Sequence, residues 1–358
     1  MLNQDSKYHL KVIFCSGLCA ALAACGSIGP KTMDRDQLDY GRSVGNSWKN
    51  QMLTNLVRLR YVDMPVFVDV GQIVSGYTLE TQVSAEVGFS NSFTGGDAQG
   101  VGAGGKFTDR PTITYMPKTG EDYLRSLLEP VEPRSLLSLV LAGYSSELLF
   151  TWAVESINGR KNYSMVAGKA RQADPEFTEY VKLLQELQDA AAISFELEND
   201  PKTGHDIIMV MDNDGLPEAI QAKRKRVGEL LGLSQNLSRY RVMYAPYSSD
   251  GGILAMQTRS IMQMLIALSG FIDIPPENRS FASSGYDVPS GVTRPFHVHS
   301  GPDRPEDKFA QINYKGDWYW IENHDLQSKR VFTLMLFLTT LTNYEGDKNA
   351  PVLTIPTN

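Results

Sequence analysis

The chain has 358 residues, of which 42% are hydrophobic and 21% are charged, and its formal net charge is −7 at pH 7. This length and composition are typical of a globular protein with one large domain or two ordinary ones. The acidic balance argues against nucleic-acid binding, which needs a basic surface, so no nucleic-acid partner is expected.

The N-terminal residues 1–24 have the order of features that marks a secretory signal peptide. Lys7 and Lys11 give a positive start, an apolar segment over residues 12–22 follows, and small residues precede Cys25. The apolar segment is shorter than the roughly 20 residues that a membrane-spanning helix needs. The sequence therefore predicts an exported protein from which this segment is removed.

The sequence Leu22-Ala23-Ala24-Cys25 closely resembles the lipobox of bacterial lipoproteins. In that family the cysteine carries acyl chains and becomes the first residue of the mature protein, so the resemblance implies lipidation of Cys25 and membrane lipid as its partner. An ordinary signal peptide with a chance cysteine is the alternative. By resemblance to Gram-negative lipoproteins, Gly26 in place of aspartate implies anchoring in the outer membrane, with the body facing the periplasm. The resemblance covers residues 1–26, and the body is assigned to no family.

Cysteine usage agrees with lipidation. The other two cysteines, Cys15 and Cys19, lie inside the predicted signal peptide, and none follows Cys25. The mature chain would therefore hold one thiol, which cannot form an internal disulfide. The same count excludes a catalytic cysteine and a cysteine-bound zinc ion in the folded body.

The remaining chain divides into four predicted parts. Residues 25–33 are interpreted as a short tether, and residues 34–274 as a body of helices and strands. Residues 275–307 are rich in Pro, Ser, Gly and Asp and are interpreted as a surface loop or linker. Residues 308–358 are predicted to form a C-terminal unit of a hairpin, a helix and a final strand.

Periodicity gives the individual elements of these parts. Apolar spacings near 3.6 predict helices at about residues 36–61, 133–143, 175–191, 217–231, 260–269 and 326–341, with another helix between Gly120 and Pro133. Alternating or short apolar runs predict strands at residues 66–70, 148–154, 193–198, 207–211, 240–244, 253–257, 309–314, 318–322 and 352–355. Because many neighbouring strands are joined as hairpins, the pattern favours an α+β fold with antiparallel or mixed sheets and packed helices.

Residues 77–116 form the longest alternating stretch and predict a long amphipathic β-hairpin, with the glycine-rich residues 94–105 at its tip. Packing against its own domain or a partner is the favoured interpretation. The alternative is insertion into a membrane, because each arm reaches the 9–11 residues that a spanning strand needs. Several copies of the hairpin could then close a barrel, an arrangement that resembles oligomeric lipoprotein secretion channels in layout only. A phosphate-binding loop at Gly100–Lys106 is rejected, because Pro111 interrupts the helix that such a loop requires.

His297 and His299 are the only histidine pair with metal-ligand spacing that the sequence offers. At positions i and i+2 they would share one face of a strand, and a third ligand would have to come from elsewhere, such as Asp303 or His324. No His-Glu-x-x-His or comparable motif supports a metal, so a solvated strand face is favoured and no metal site is predicted.

Three further clusters are weighed in the same way. Glu322, His324 and Asp325 could carry acid–base chemistry, but a helix N-cap explains Asp325 more simply. Trp318 and Trp320 alternate along a strand and are predicted to face the core. The basic run of residues 223–226 is predicted to be a solvated helix face.

The sequence contains no complete catalytic motif and no cofactor-binding motif. It therefore favours a non-catalytic lipoprotein of the outer membrane that binds envelope proteins or assembles with copies of itself. One alternative is an envelope hydrolase or metal-dependent enzyme that uses His297, His299, His324 and Asp325. The other is an oligomeric pore or secretion component that uses residues 77–116.

Overall fold

The computed structural model describes residues 28–74, 77–88, 98–109, 112–166, 169–200, 204–211, 215–286, 294–341 and 353–356. Two compact units divide the chain between Lys49 and Asn50. The predicted signal peptide and Cys25 lie outside the described residues. Within the described part of the chain, no helix combines the length and the apolar character needed to cross a bilayer.

The second unit is built of helices packed on mixed and antiparallel sheets, so the predicted α+β class is confirmed. Helix α3 packs on α4, α4 on α5, α5 on α6, α2 on α7 and α7 on α8. The described helices are α1 (Ile28–Arg60), α2 (Glu121–Leu128), α3 (Pro133–Leu141), α4 (Ser146–Ala153), α5 (Pro175–Asp189), α6 (Glu218–Leu231), α7 (Ile261–Ser269) and α8 (Leu326–Leu341), with a 3₁₀ turn at Pro276–Phe281.

The described strands are β1 (Val68–Val74), β2 (Tyr77–Gly88), β3 (Ala98–Asp109), β4 (Thr112–Pro117), β5 (Val154–Ile157), β6 (Arg160–Lys161), β7 (Ser164–Val166), β8 (Lys169–Arg171), β9 (Ser194–Asp200), β10 (Gly204–Val210), β11 (Arg239–Tyr244), β12 (Ile253–Thr258), β13 (His299–Gly301), β14 (Ala310–Tyr314), β15 (Asp317–Ile321) and β16 (Leu353–Pro356). The largest sheet has the order β6-β5-β12-β11-β10-β9, and only its β11–β12 pair is parallel. Two three-stranded sheets have the orders β1-β4-β16 and β13-β15-β14.

Local signals explain where several helices begin. Ser260 caps α7 through a capping box in which its side chain and that of Gln263 satisfy each other's backbone N–H groups. Pro133 and Pro175 occupy the first turns of α3 and α5, where a missing N–H costs nothing. Helix α1 begins at Ile28, eight residues before its predicted start and inside the predicted tether, whose role stays a prediction.

The predicted strand at residues 148–154 is wrong for most of its length, because residues 146–153 form α4. The Ser145 side chain accepts a hydrogen bond from the Leu148 N–H and caps this helix. The buried residues Leu149, Phe150 and Trp152 then share a helical face, which apolar alternation over a short run does not distinguish from a strand. Strand β5 begins only at Val154.

The described residues between 68 and 117 form two antiparallel ladders, β1 with β4 and β2 with β3, which are together called the ribbon of residues 68–117. Beyond a bulge near Gly71 the register is constant: Val74 pairs with Thr112, and three residues further Tyr77 pairs with Asp109. The predicted hairpin at residues 77–116 is therefore present, but β4 pairs with β1 and β16 rather than with β2.

The tip of this ribbon differs from the prediction. Residues 98–105 of the glycine-rich stretch lie in β3, and residues 89–97 lie outside the described residues. Lys106 lies within β3 and is followed by strand β4 rather than by the helix that a phosphate-binding loop requires.

Residues 275–307 are mainly loop in their described part, but the end of this segment is packed into the core. Phe296 and Val298 are fully buried, and Val298 forms a parallel bridge with Ile272. His299–Gly301 then joins β15 as a sheet strand. Residues 296–301 thus lie beside the end of α7, and this placement builds the site described below.

The face predicted for one strand is wrong, and the face predicted for one helix is wrong at a single residue. Tyr319 is the fully buried ring of β15, while Trp318 and Trp320 are only partly buried. The side chains alternate as predicted, but Tyr319 and not the two tryptophans faces the core.

Lys225 and Arg226 in the basic run are exposed as predicted, but Arg224 is buried. In the basic run of α6, Arg224 is 5% exposed because its guanidinium donates hydrogen bonds to the carbonyls of Met211 and Leu237. A long side chain can bury its stem and charge wherever carbonyls accept its donors.

Candidate metal and anion site

Two long-range contacts bring residues 271–274 and 296–299 side by side. The Asp273 N–H donates to the Val298 carbonyl at 2.9 Å, next to the parallel Ile272–Val298 bridge. His299 is the first residue of β13 and pairs with Trp320 on β15. The backbone therefore places Asp273 beside His297 and, through strand spacing, beside His299.

Asp273, His297 and His299 form one cluster, and each offers a possible ligand atom within 4.8 Å of the others. The His297 Nε2 atom lies 2.7 Å from Asp273 Oδ2, and the two imidazole centroids are 3.9 Å apart. Arg294 Nη1 lies 2.7 Å from Asp273 Oδ1. One carboxylate thus receives a cationic guanidinium on one oxygen and an imidazole on the other.

The electrostatics of this cluster favour an ionised carboxylate and a neutral second imidazole. Burial alone would raise the pKa of Asp273, but hydrogen bonds from His297 and Arg294 outweigh it and lower the pKa to about 2. Because the carboxylate is ionised, His297 Nε2 is the donor of their hydrogen bond. Burial, and then the neighbouring His297, lower the pKa of His299 below its ordinary value.

Aromatic and acidic neighbours fix the ring of His299. It stacks on Trp320 with a centroid distance of 5.6 Å and an interplanar angle of 19°. Trp320 Nε1 donates to Glu322 at 2.7 Å, and Lys308 Nζ donates to the other Glu322 oxygen at 2.6 Å. Glu322 is therefore engaged by two donors, and the Lys308 hydrogen bond is the largest cause that lowers its pKa.

The structure separates the other predicted candidates from this cluster. The side chain of His324 is 86% exposed, and its Nδ1 lies 3.9 Å from Glu322 Oε2. Asp325 caps α8, since its carboxylate accepts from the Ser328 backbone N–H at 2.9 Å and from the Ser328 hydroxyl at 2.6 Å. Asp303 is exposed and does not belong to the cluster. Asp273 was missed because its 24-residue separation from His297 gives no local signal.

A cavity of about 480 Å³ begins at Asp273 and is lined by three arginines, Arg60, Arg279 and Arg294. Among the described residues that line it, Asp273 is the only acidic one, so this part of the surface is cationic in an otherwise acidic chain. Such a surface suits a compact oxyanion, because guanidinium groups present paired donors to carboxylate or phosphate oxygens.

Arg60 is the most buried of the three arginines, at 8% exposure. Burial lowers the pKa of its guanidinium, its Nη1 donates to the Ser283 carbonyl, and its Nε has no partner among the described residues. Gly285 permits this approach, since a Cβ atom there would lie 2.6 Å from Arg60 Nη2 and 3.0 Å from the Gly270 carbonyl oxygen. A buried donor without a partner is costly, which favours an acceptor supplied by a ligand or by water.

The arrangement offers two kinds of chemistry. Two imidazoles and a carboxylate can ligate a transition-metal ion, and the arginine-lined cavity beside them can hold an anion. Comparison with protein families, with curated proteins and with solved structures finds no match to this chain.

Proposed function

We propose that this chain is an outer-membrane-anchored lipoprotein that acts as a non-catalytic binding or assembly component of the cell envelope. The anchor rests on the lipobox-like sequence that ends at Cys25, where several acyl chains would give a durable attachment. The partners are membrane lipid through Cys25 and either envelope proteins or further copies of the chain. In this proposal the body lies on the periplasmic side of the outer membrane.

The observation that carries the assembly part of this proposal is the ribbon of residues 68–117. Among the described residues, its distal strands β2 and β3 pair only with each other, over 12 residue pairs. An isolated two-stranded hairpin is marginally stable in water, and its outer edges present unpaired N–H and C=O groups. At about 3.3 Å per residue this arm is roughly 40 Å long. A second strand from another copy or from a partner would satisfy these edges.

A ribbon deletion tests this role. Replacing residues 75–111 by Asn-Gly closes a short hairpin just beyond the Val74–Thr112 pair and keeps the β1–β4 ladder. We expect the detergent-extracted full chain to be an oligomer or a complex with an envelope protein, and the deleted chain to be a monomer. Light scattering coupled to size-exclusion chromatography measures the mass of both.

The matched control replaces only residues 89–97 by a short turn and leaves both ladders intact. It should assemble like the unmodified chain. A monomeric full chain that co-purifies with no envelope protein contradicts the proposal, as does a deleted chain that still assembles.

The lipid anchor has its own test, which does not depend on the ribbon. Cells grown with an alkyne analogue of palmitate should label the chain, and Cys25→Ser should abolish the label and release the protein from the membrane fraction. A labelled C25S variant, or a mature N-terminus mapped away from Cys25, would remove the anchor. Membrane fractionation by density then separates outer from inner membrane.

A pore built from several ribbons is the first alternative, and the length of β2 and β3 favours it. Each has 12 residues, more than the 9–11 that a membrane-spanning strand needs. In this case the deletion would abolish ion conductance of the purified protein in planar bilayers. Equal conductance with and without residues 75–111, or none in either, would leave assembly as the role.

A metal-dependent envelope enzyme is the second alternative, and the cluster of Asp273, His297 and His299 favours it. Three protein ligands with an open position are typical of catalytic zinc sites. Its ligand set would differ from the one expected from the sequence, because His324 and Asp325 lie outside the cluster. The first requirement of this alternative is a bound metal ion.

A further inference from the structure

The cluster of Asp273, His297 and His299 has the donor set of a transition-metal site. Neutral imidazole and carboxylate are the ligands that zinc accepts most often besides thiolate. Both imidazoles come from one short segment, while the carboxylate comes from the neighbouring segment after α7. The three donors therefore converge from two directions.

The distances are close to those that a metal ion needs. Zinc lies about 2.0–2.1 Å from nitrogen or oxygen ligands, so donors of a tetrahedral site are roughly 3.3 Å apart. The present atoms lie within 4.8 Å of one another, and His297 Nε2 is 2.7 Å from Asp273 Oδ2. A metal ion that replaces the proton between this pair would widen their separation slightly, and His299, whose ligand atom lies within 4.8 Å of both, supplies the third donor.

Neighbouring groups hold the three donors in place. Arg294 occupies Asp273 Oδ1 and leaves Oδ2 available for one-point ligation. The His297 backbone N–H donates to the Ser328 hydroxyl at 2.9 Å, and the His299 ring stacks on Trp320. Outer contacts of this kind orient the ligands of metal sites.

We propose that Asp273, His297 and His299 bind one divalent transition-metal ion of the zinc class, and that the adjacent arginine-lined cavity binds an oxyanion next to it. Asp273 and Arg294 belong to both features, since they join the cluster and line the cavity. The fourth metal position is left for water or for an oxygen of the anion. The inference goes beyond an assembly role and does not require that the chain be an enzyme.

Metal binding is tested on the detergent-extracted full chain after treatment with a chelator. We expect one Zn²⁺ per chain by equilibrium dialysis and the visible bands of a tetrahedral ion when Co²⁺ is added. His299→Gln, His297→Gln and Asp273→Asn should each weaken Zn²⁺ binding at least tenfold, because each removes a direct ligand. Circular dichroism and urea unfolding show whether each variant keeps the fold.

His324→Gln is the matched control, because this histidine is 86% exposed and lies outside the cluster. It should bind Zn²⁺ as the unmodified chain does. The inference is overturned if the unmodified chain binds no Zn²⁺, or if H324Q weakens binding as much as H299Q. It is also overturned if the folded H299Q and D273N variants both bind normally.

The anion part uses inorganic phosphate as its probe. Phosphate should change the visible bands of the Co²⁺-loaded chain, and Arg279→Ala and Gly285→Ala should abolish this change while Co²⁺ still binds. Gly285→Ala acts through Arg60, since its Cβ would lie 2.6 Å from Nη2. The oxyanion site is refuted if phosphate leaves the bands of the Co²⁺-loaded unmodified chain unchanged. It is also refuted if both variants respond to phosphate as strongly as the unmodified chain does.

Discussion

Replacing Trp152 by alanine is expected to lower the free energy of unfolding by about 3–5 kcal/mol, the range for removing a large aromatic side chain from a core. Trp152 is 1% exposed. Its indole makes edge-to-face contacts with Tyr163, Phe271 and Phe296, at centroid distances of 5.6, 6.0 and 6.5 Å. These rings come from three separate segments, so the cavity left by alanine has no single neighbour that can fill it.

Urea unfolding followed by circular dichroism measures this change, and Phe281→Ala is its matched control. Phe281 is also aromatic but 67% exposed, so its replacement should change stability by less than about 0.5 kcal/mol. A cost below about 1 kcal/mol for W152A, or an equal cost for F281A, would contradict the packing argument.

The same substitution connects the core to the candidate metal site. Phe271 lies two residues before Asp273, and Phe296 lies immediately before His297. Trp152 contacts both rings, so it holds together the two segments whose bridge aligns the carboxylate with the imidazoles. We therefore expect W152A to weaken Zn²⁺ binding even under conditions in which most of the chain stays folded.

Only part of the cluster of Asp273, His297 and His299 could be predicted from the sequence. His297 and His299 are two residues apart, and strand geometry alone predicts that they share a face. Asp273 joins them through a parallel bridge between Ile272 and Val298, a long-range contact that no periodicity records. His324, one of the third ligands that the sequence offers, follows the end of β15 and is exposed to solvent.

The fold was predictable where local signals agreed with one another. The turn at Lys315 and Gly316 has both residues at positive φ between two alternating runs, and the predicted hairpin is confirmed. Residues 146–153 were mispredicted because apolar alternation competed with the cap at Ser145, and the cap prevailed. The sequence predicts that Arg224 faces solvent, because no local pattern marks its carbonyl acceptors at Met211 and Leu237.

Replacing Arg259 by leucine is the second large effect, with an expected cost of about 3 kcal/mol. Arg259 is 1% exposed. Its Nε lies 2.8 Å from a Glu155 oxygen, its Nη1 donates to the Trp152 carbonyl at 3.2 Å, and its Nη2 donates to the Tyr163 carbonyl. Leucine removes every one of these donors and leaves two carbonyls and a carboxylate without them.

Glu155→Gln separates the contribution of charge from that of the donor geometry. The Glu155 side chain is 29% exposed, and Arg171 also lies 3.7 Å from it, so its carboxylate is partly compensated elsewhere. Glutamine still offers an acceptor to Arg259, and the expected cost is only about 1 kcal/mol. The two carbonyls, which are unaffected by this change, should therefore account for most of the difference between E155Q and R259L.

Arg259→Lys tests whether the positive charge alone stabilises the fold or whether the planar guanidinium with its directed donors is needed. Lysine keeps the positive charge but cannot reach three acceptors in the fixed directions of a guanidinium, nor lie over the Tyr163 ring as Arg259 does at 5.0 Å. Urea unfolding should therefore place R259K between E155Q and R259L, at a cost of about 2 kcal/mol. A lysine variant as stable as the unmodified chain would mean that charge alone suffices. Equal costs for the lysine and leucine variants would mean that the three directed hydrogen bonds are the whole of the contribution.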